Sequence, residues 1–251
     1  MLAYQTFGDA GSPAVLIAHG LYGSGRNWGV IAKRLSDARH VITVDMRNHG
    51  SSFHDPANGY EDLADDLAEV ISAIGEPMDV VGHSMGGKAA MMLALRAPQL
   101  VRRLVVGDIA PVAYTHSQLP MIDAMRAVDL GRVSRRSEAT AQLAAQDVAP
   151  EVSAFLTQSL DVAGRKWLLN LDALEAEMPK IMSFPTVEAR FDGPTLFLSG
   201  GRSDYVLPEH RDTIRRLFPT ARFAKLPKAG HWLHADDPRG FEGTVRAFLD
   251  A

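Results

Sequence analysis

Residues 79–95 restrict this chain more than any other stretch. Asp79-Val80-Val81-Gly82-His83-Ser84-Met85-Gly86-Gly87-Lys88 runs directly into Ala89-Ala90-Met91-Met92-Leu93-Ala94-Leu95. A short apolar run ends on glycine, a serine stands at the apex, and a helical apolar pattern starts at once. Gly82-His83-Ser84-Met85-Gly86 has the G-x-S-x-G spacing of a nucleophile elbow, in which a strand turns sharply into a helix. The spacing has a steric reason: side chains two residues before or after the strained serine would collide where strand and helix cross. The same residues offer a second reading. Gly82 and Gly87-Lys88 bracket four residues, as in the phosphate-binding loop G-x-x-x-x-G-K-[S/T], but Ala89 stands where that loop needs a hydroxyl for Mg²⁺. Such a loop would also come late, with other strands already laid down before it.

Strand and helix patterns alternate on both sides of the elbow. Residues 2–7 alternate apolar and polar and, with the turn cluster Gly8-Asp9-Ala10-Gly11-Ser12-Pro13, read as an edge strand and its hairpin loop. Residues 14–18 and 40–44 are short apolar runs of the kind buried on both faces. A helix over 28–35, capped near Asn27, lies between them. Residues 60–74 place Leu63, Leu67, Val70, Ile71 and Ile74 on one helical face with acids opposite. The elbow helix runs to about Ala97 and is stopped by Pro98, and a strand over 101–107 leads to Asp108-Ile109-Ala110-Pro111. The rhythm then breaks. From 112 to 183 no convincing buried strand occurs; helical patterns cover 119–130, 137–145, 150–160 and 172–182, and Trp167-Leu168-Leu169-Asn170-Leu171 is ambiguous. Strand and helix resume with strands over 195–199 and 222–226 and helices over 208–217 and 238–249. The expectation is an α/β protein with a mostly parallel central sheet flanked by helices. Residues 1–111 and 184–251 form its core, and 112–183 form a helical cap inserted between the strand ending near Asp108 and the strand starting near Thr195. Loops at strand C-termini should carry the chemistry.

Composition narrows the function classes. At 251 residues, with 46% hydrophobic and 22% charged residues, the chain is sized for one globular domain with a substantial core. A net charge of −4 without a dense basic run argues against a nucleic-acid surface; residues 132–136 read as a solvated helix start. The absence of cysteine removes disulfides, thiolate metal sites and a cysteine nucleophile. No apolar run approaches the ~20 residues of a membrane span. The first residues lack the basic, apolar and cleavage regions of a signal peptide. The expected location is the cytoplasm.

A serine hydroxyl becomes a nucleophile only with a base, a group that orients the base, and donors for the oxyanion. In elbow enzymes these arrive in the order serine, acid, histidine. His231, in a Gly-His turn after the last strand, falls in that order and at the sheet edge of Ser84. The other histidines have blander readings: His83 packs beside the elbow, and His19 and His49 serve loops. His40, His54, His116 and His210 lie at the surface, and His234 starts the final helix. The N–H of Met85, at the positive end of the elbow helix, is one expected oxyanion donor. The other is Leu21, with Tyr22 as the fallback, from the loop His19-Gly20-Leu21-Tyr22-Gly23-Ser24-Gly25; those glycines would also serve a plain tight turn. Asp204 and Asp108 compete for the acid, and position alone favours Asp204. Asp172 reads as a helix cap.

His19-Gly20-Leu21-Tyr22-Gly23-Ser24, Asp45-Met46-Arg47-Asn48-His49-Gly50-Ser51-Ser52, Gly82-His83-Ser84-Met85-Gly86-Gly87-Lys88, Asp108-Ile109-Ala110-Pro111 and Gly230-His231-Trp232 together resemble the α/β-hydrolase superfamily. More narrowly, they resemble its YbfF-type esterase branch, over nearly the whole chain. The resemblance implies the α/β-hydrolase fold, short-chain carboxylesterase activity with acyl-CoA thioesterase activity in some members, and no cofactor or metal. It also implies that the acid is the one after the elbow strand, Asp108, with a serine of the later loop, Ser203, in support. This chain departs from the branch there. Gly200-Gly201-Arg202-Ser203-Asp204 has arginine for the usual asparagine and an acid where the branch has none, so Asp204 stays in contention.

The function expected is hydrolysis of short- to medium-chain acyl esters, or of acyl-CoA thioesters, through an acyl-enzyme on Ser84. Carbon–carbon bond hydrolysis on the same residues and a non-catalytic ligand-binding homologue are the rivals; dehalogenation would want aspartate in place of Ser84. Met121, Met125, Phe155, Leu156, Trp167 and Leu168 are candidate pocket residues, although a helical stripe of that kind also makes plain core.

Overall fold

The apolar runs become the strands of one sheet. In the computed structural model, which describes residues 1–75 and 77–251, seven strands stand side by side. Their order is β1 (Tyr4–Phe7), β3 (His40–Val44), β2 (Ala14–Ala18), β4 (Met78–His83), β5 (Val101–Gly107), β8 (Thr195–Gly200) and β9 (Ala221–Leu226). All neighbours are parallel except β1, which is antiparallel to β3. The edge position of β1 agrees with its alternating pattern, but the expected hairpin does not form. Every residue of β2 is buried, and its two sides pair with β3 and β4, so no free edge remains for β1. The turn at 8–13 therefore carries the chain past β3.

Alternation along the strands feeds two cores. Val15, Ile17, Val81 and Val105 point to the face covered by α1 (Gly29–Leu35) and α11 (Pro238–Leu249). Leu16, Val80, Leu104 and Val106 point to the face covered by α2 (Tyr60–Ile74), α3 (Met85–Arg96) and, through Ile214 and Leu217, α9 (Arg211–Leu217). The helix expected from Trp28 begins as a 3₁₀ turn over Gly25–Trp28, with α1 proper starting at Gly29. Its cap lies at Ser24, whose N–H donates to Asn27 Oδ1 at 2.6 Å. His234 does not start the final helix. It sits in its own turn, α10 (Leu233–Asp236), stacked 4.0 Å from the Trp28 ring, and α11 begins four residues later at Pro238 under an Asp237 cap.

Between β5 and β8 the chain leaves the sheet for a run of short helices: α4 (Leu119–Arg126), α5 (Arg136–Ala144), α6 (Pro150–Leu156), α7 (Leu171–Ala176) and α8 (Met178–Met182). Apart from α5, which has the length of its pattern shifted by one residue, they are shorter than their patterns. The third stops at Leu156 because Leu160–Asp161 pairs with Lys166–Trp167 as a two-stranded ribbon, β6 and β7, which also settles the ambiguous stretch: its start is extended and Leu171 is helical. The last pattern breaks at Glu177, before Pro179. Asp172 is not the cap of α7. Asn170 holds that place, its side chain accepting from Ala173 N–H, while Asp172 pairs with Arg126 across the surface. Among the described residues no helix is long and apolar enough to cross a membrane.

Candidate active site

The elbow is built by two glycines against main chain. Ser84 has φ 53° and ψ −120°, a conformation a non-glycine residue adopts only under constraint, at a cost of about 1–3 kcal/mol. The constraint comes from β4 ending at His83 and α3 starting at Met85 with no residue between them but Ser84. A Cβ on Gly82 would lie 2.3 Å from the Gly86 carbonyl oxygen, and one on Gly86 would lie 2.4 Å from the Ala18 carbonyl oxygen at the end of β2. Gly86 thus clears the neighbouring strand rather than its own. Gly20 brings the β2 loop equally close: a Cβ there would be 3.1 Å from Ser84 Cβ.

His231 arrives from the turn between β9 and α10. Its Nε2 is 3.1 Å from Ser84 Oγ, and its Nδ1 is 2.8 Å from Asp108 Oδ2. Asp108, at the end of β5, is fully buried with φ 49°. Two further donors hold it: Gly200 N–H donates to Oδ1 at 2.9 Å, and Ser203 Oγ donates to Oδ2 at 2.5 Å. The structure thus brings Ser84, His231, Asp108 and Ser203 into one hydrogen-bonded chain. Asp204 is exposed and, among the described residues, takes no part in that chain. The imidazole is held from behind as well. His83 Nε2 donates to the His231 carbonyl at 2.7 Å, and burial keeps the His83 ring well below its ordinary 6.5 and therefore neutral.

Tyr205 completes the setting of His231. Its ring stacks on the imidazole at 4.0 Å between centroids and 21° between planes, its carbonyl accepts the Tyr114 hydroxyl at 2.7 Å, and its own hydroxyl meets His116 Nε2 at 2.9 Å. No local pattern marks this residue, because its partners lie far away in sequence. The stretch Ser203-Asp204-Tyr205 alternates between site and solvent, so the two flanking residues turn inward and Asp204 outward.

On the other side of Ser84 the N–H groups sort themselves. Tyr22 N–H donates to His49 Nε2 at 3.1 Å, which removes it as an oxyanion donor. Leu21 N–H and Met85 N–H donate to no other group among the described residues, and both residues border the cavity that Ser84 opens into. His49 can accept because its Nδ1 proton goes to the Arg47 carbonyl at 2.8 Å and burial depresses its protonation to about 3. His19 works the same way. It donates from Nδ1 to the Gly20 carbonyl at 2.8 Å, accepts Met46 N–H on Nε2 at 2.9 Å, and is held at about 4 by burial.

The cavity encloses about 400 Å³, near the lower end for small-molecule sites. The inserted segment supplies Met121, Phe155 and Leu156 to its wall. Met125 instead belongs to the core, its carbonyl accepting Trp167 Nε1–H at 2.9 Å, and Leu168 faces a separate small depression. Lys88 is spent on three main-chain carbonyls, which leaves no cation for the phosphate-loop reading. No three His, Asp or Glu side chains converge as a metal site among the described residues.

The profile of the alpha/beta hydrolase family matches residues 15–244. The chain belongs to this family. Among relatives of the hydrolase, the sn-1-specific diacylglycerol lipase ABHD11 of Mus musculus is 44% identical over 96% of this chain and 82% of its own length. Esterase YbfF of Escherichia coli is 38% identical over 95% of this chain and 93% of its own length. A solved structure described as a marine microorganism esterase superposes with a TM-score of 0.93 at 35% identity, covering 98% of both chains. The likeness to the YbfF-type branch expected from the motifs is therefore met along the full sheet and the inserted helices alike.

Proposed function

We propose that this hydrolase cleaves carboxylic esters of short to medium acyl chains through an acyl-enzyme on Ser84. One observation carries the reading: the unbroken chain from Ser84 Oγ through His231 to Asp108 opens into a mainly apolar cavity beside two N–H groups that have no partner among the described residues. Relatives named as esterases and a lipase add weight to ester chemistry.

In this proposal Ser84 Oγ attacks the ester carbonyl while its proton passes to His231 Nε2. Asp108 keeps the Nδ1 proton in place and stabilises the imidazolium, with Ser203 and Gly200 fixing the carboxylate. The oxyanion is held by Met85 N–H and Leu21 N–H, the former at the positive end of α3. Collapse of the intermediate expels the alcohol, which takes the proton from His231. Water then attacks the acyl-enzyme, gives a proton to His231, and Ser84 recovers it as the carboxylic acid leaves. The segment 112–183 acts as a cap that shapes the acyl pocket. A thioester would follow the same steps with a thiol as leaving group, so acyl-CoA thioesters fall within the proposal.

Ser84→Ala should lower turnover of a chromogenic short-chain ester by at least about 10⁴-fold while the protein stays folded, and a fluorophosphonate should label wild-type Ser84. A folded wild type that never labels would point instead to a binding protein on the same fold. A screen of esters and acyl-CoA thioesters of graded length would fix the substrate class.

A further inference from the structure

The Gly-Lys after the elbow has no part in the proposed chemistry, yet Lys88 occupies an unusual position. It is one helical turn beyond Ser84, its N–H bonding the Ser84 carbonyl at 3.0 Å, and it is 1% exposed. No carboxylate reaches it among the described residues. Its Nζ instead donates to the carbonyls of Val112 at 2.9 Å, Met182 at 3.3 Å and Ser183 at 2.5 Å. The rings of Tyr114 and Tyr60 lie 4.8 Å and 5.5 Å from the nitrogen. Val112 is where the chain leaves the core for the inserted helices, and 182–183 is where it comes back. The two crossings also touch each other, Tyr114 N–H donating to Met182 O at 2.9 Å. The Tyr60 hydroxyl from α2 holds Ile181 O at 2.6 Å.

We propose that Lys88 is a positioning residue: its ammonium clasps both crossings of the inserted segment onto the helix that begins at Ser84, fixing the cap in register with the site. An ammonium has three N–H donors and no acceptor, which matches three carbonyls. A neutral amine has two donors and a lone pair, so one carbonyl would face that lone pair. Burial draws Lys88 from 10.5 down to about 7, which puts this change inside the ordinary working range of an esterase. The groups facing the nitrogen do not interfere. Tyr60 from α2 and Tyr114 from the outgoing crossing are both raised by burial and stay neutral, and the returning crossing offers only main chain. The clasp therefore tightens below about pH 7 and slackens above it. The consequence for ester binding rests on the hydrolase reading; the clasp itself does not.

Hydrogen exchange of segments 112–117 and 181–184, corrected for the intrinsic pH dependence of amide exchange, tests it from pH 6 to pH 9. Wild type should lose protection in both segments by about tenfold across this range, the scale of one buried carbonyl losing its donor. Lys88→Met should start unprotected and show no step, and the KM for a medium-chain ester should rise with the wild-type step and be flat with pH in the variant. A wild type without the step, or a step that persists in Lys88→Met, overturns the proposal. If Lys88→Met does not fold, the wild-type titration alone decides. Fluorophosphonate labelling of the same wild-type sample separates the two readings: loss of Ser84 labelling would refute the hydrolase, whereas the exchange step would still judge the clasp.

Discussion

Changing Asp108 to asparagine should disable His231 by turning its ring into the wrong tautomer. Gly200 N–H donates to Asp108 Oδ1 at 2.9 Å, and a main-chain donor cannot reverse. The asparagine must therefore keep its oxygen there and place its NH₂ where Oδ2 stood. That position faces His231 Nδ1 at 2.8 Å, and Ser203 Oγ. The serine hydroxyl can rotate and accept, but Nδ1 can accept only by giving up its proton. The proton then sits on Nε2, 3.1 Å from Ser84 Oγ, where a base is required. The same change in a serine-protease triad lowers kcat by about 10⁴ with the geometry intact, equivalent to about 5 kcal/mol of transition-state stabilisation. Asp204→Asn alters an exposed residue outside the chain of hydrogen bonds and should change kcat by less than about threefold, the range of ordinary surface substitutions. Both variants are assayed on one chromogenic ester, with a thermal melt to show that each is folded. A larger loss for Asp204→Asn, or two similar modest losses, would refute the reasoning.

Two further outcomes follow from the buried histidines. His49→Phe removes the acceptor that fixes Tyr22 N–H and so loosens the loop that aims the neighbouring Leu21 N–H; kcat should fall by about 10² with little change in KM, the scale of one lost oxyanion donor. His49→Gln, whose amide oxygen can still accept, should recover part of the rate, and equal losses for both variants would sink the idea. Acid should unfold the protein early. His19 and His234 are held by burial at about 4, against 6.5 in the unfolded chain. A depressed basic group binds fewer protons folded than unfolded, so stability is lost as pH falls from 6.5 through about 4, by about 3 kcal/mol per residue at pH 4. His234 Nδ1 is buried without a partner among the described residues; His234→Phe should therefore move the acid-unfolding midpoint downward, and an unchanged midpoint would count against the assignment.

What the sequence makes legible here is what depends on local rules. The elbow declares itself because strand, serine and helix are contiguous, and the meeting of Ser84 with His231 follows because parallel strands deliver their C-termini to one edge. The inserted segment shows as a loss of strand pattern, although its helix ends do not, since α6 stops for a ribbon partner and α7 is capped by Asn170 rather than Asp172. Strand position favours Asp204 without excluding Asp108, because both follow strands that end beside His231. Which one meets the ring depends on backbone direction at single residues: Asp108 adopts φ 49° at the end of its strand, and Ser203 and Tyr205, not Asp204, turn inward. Gly201 takes part in setting that register, since a Cβ there would lie 2.3 Å from the Pro227 carbonyl oxygen. The one-residue offset of Asp204 thus leaves it in solvent. Asp204 is exposed and outside the hydrogen-bonded chain among the described residues, and Arg202 spends its guanidinium on the Lys228 carbonyl rather than on Asp204. The two departures that make this loop look like a different triad are, in space, two side chains facing away from the site.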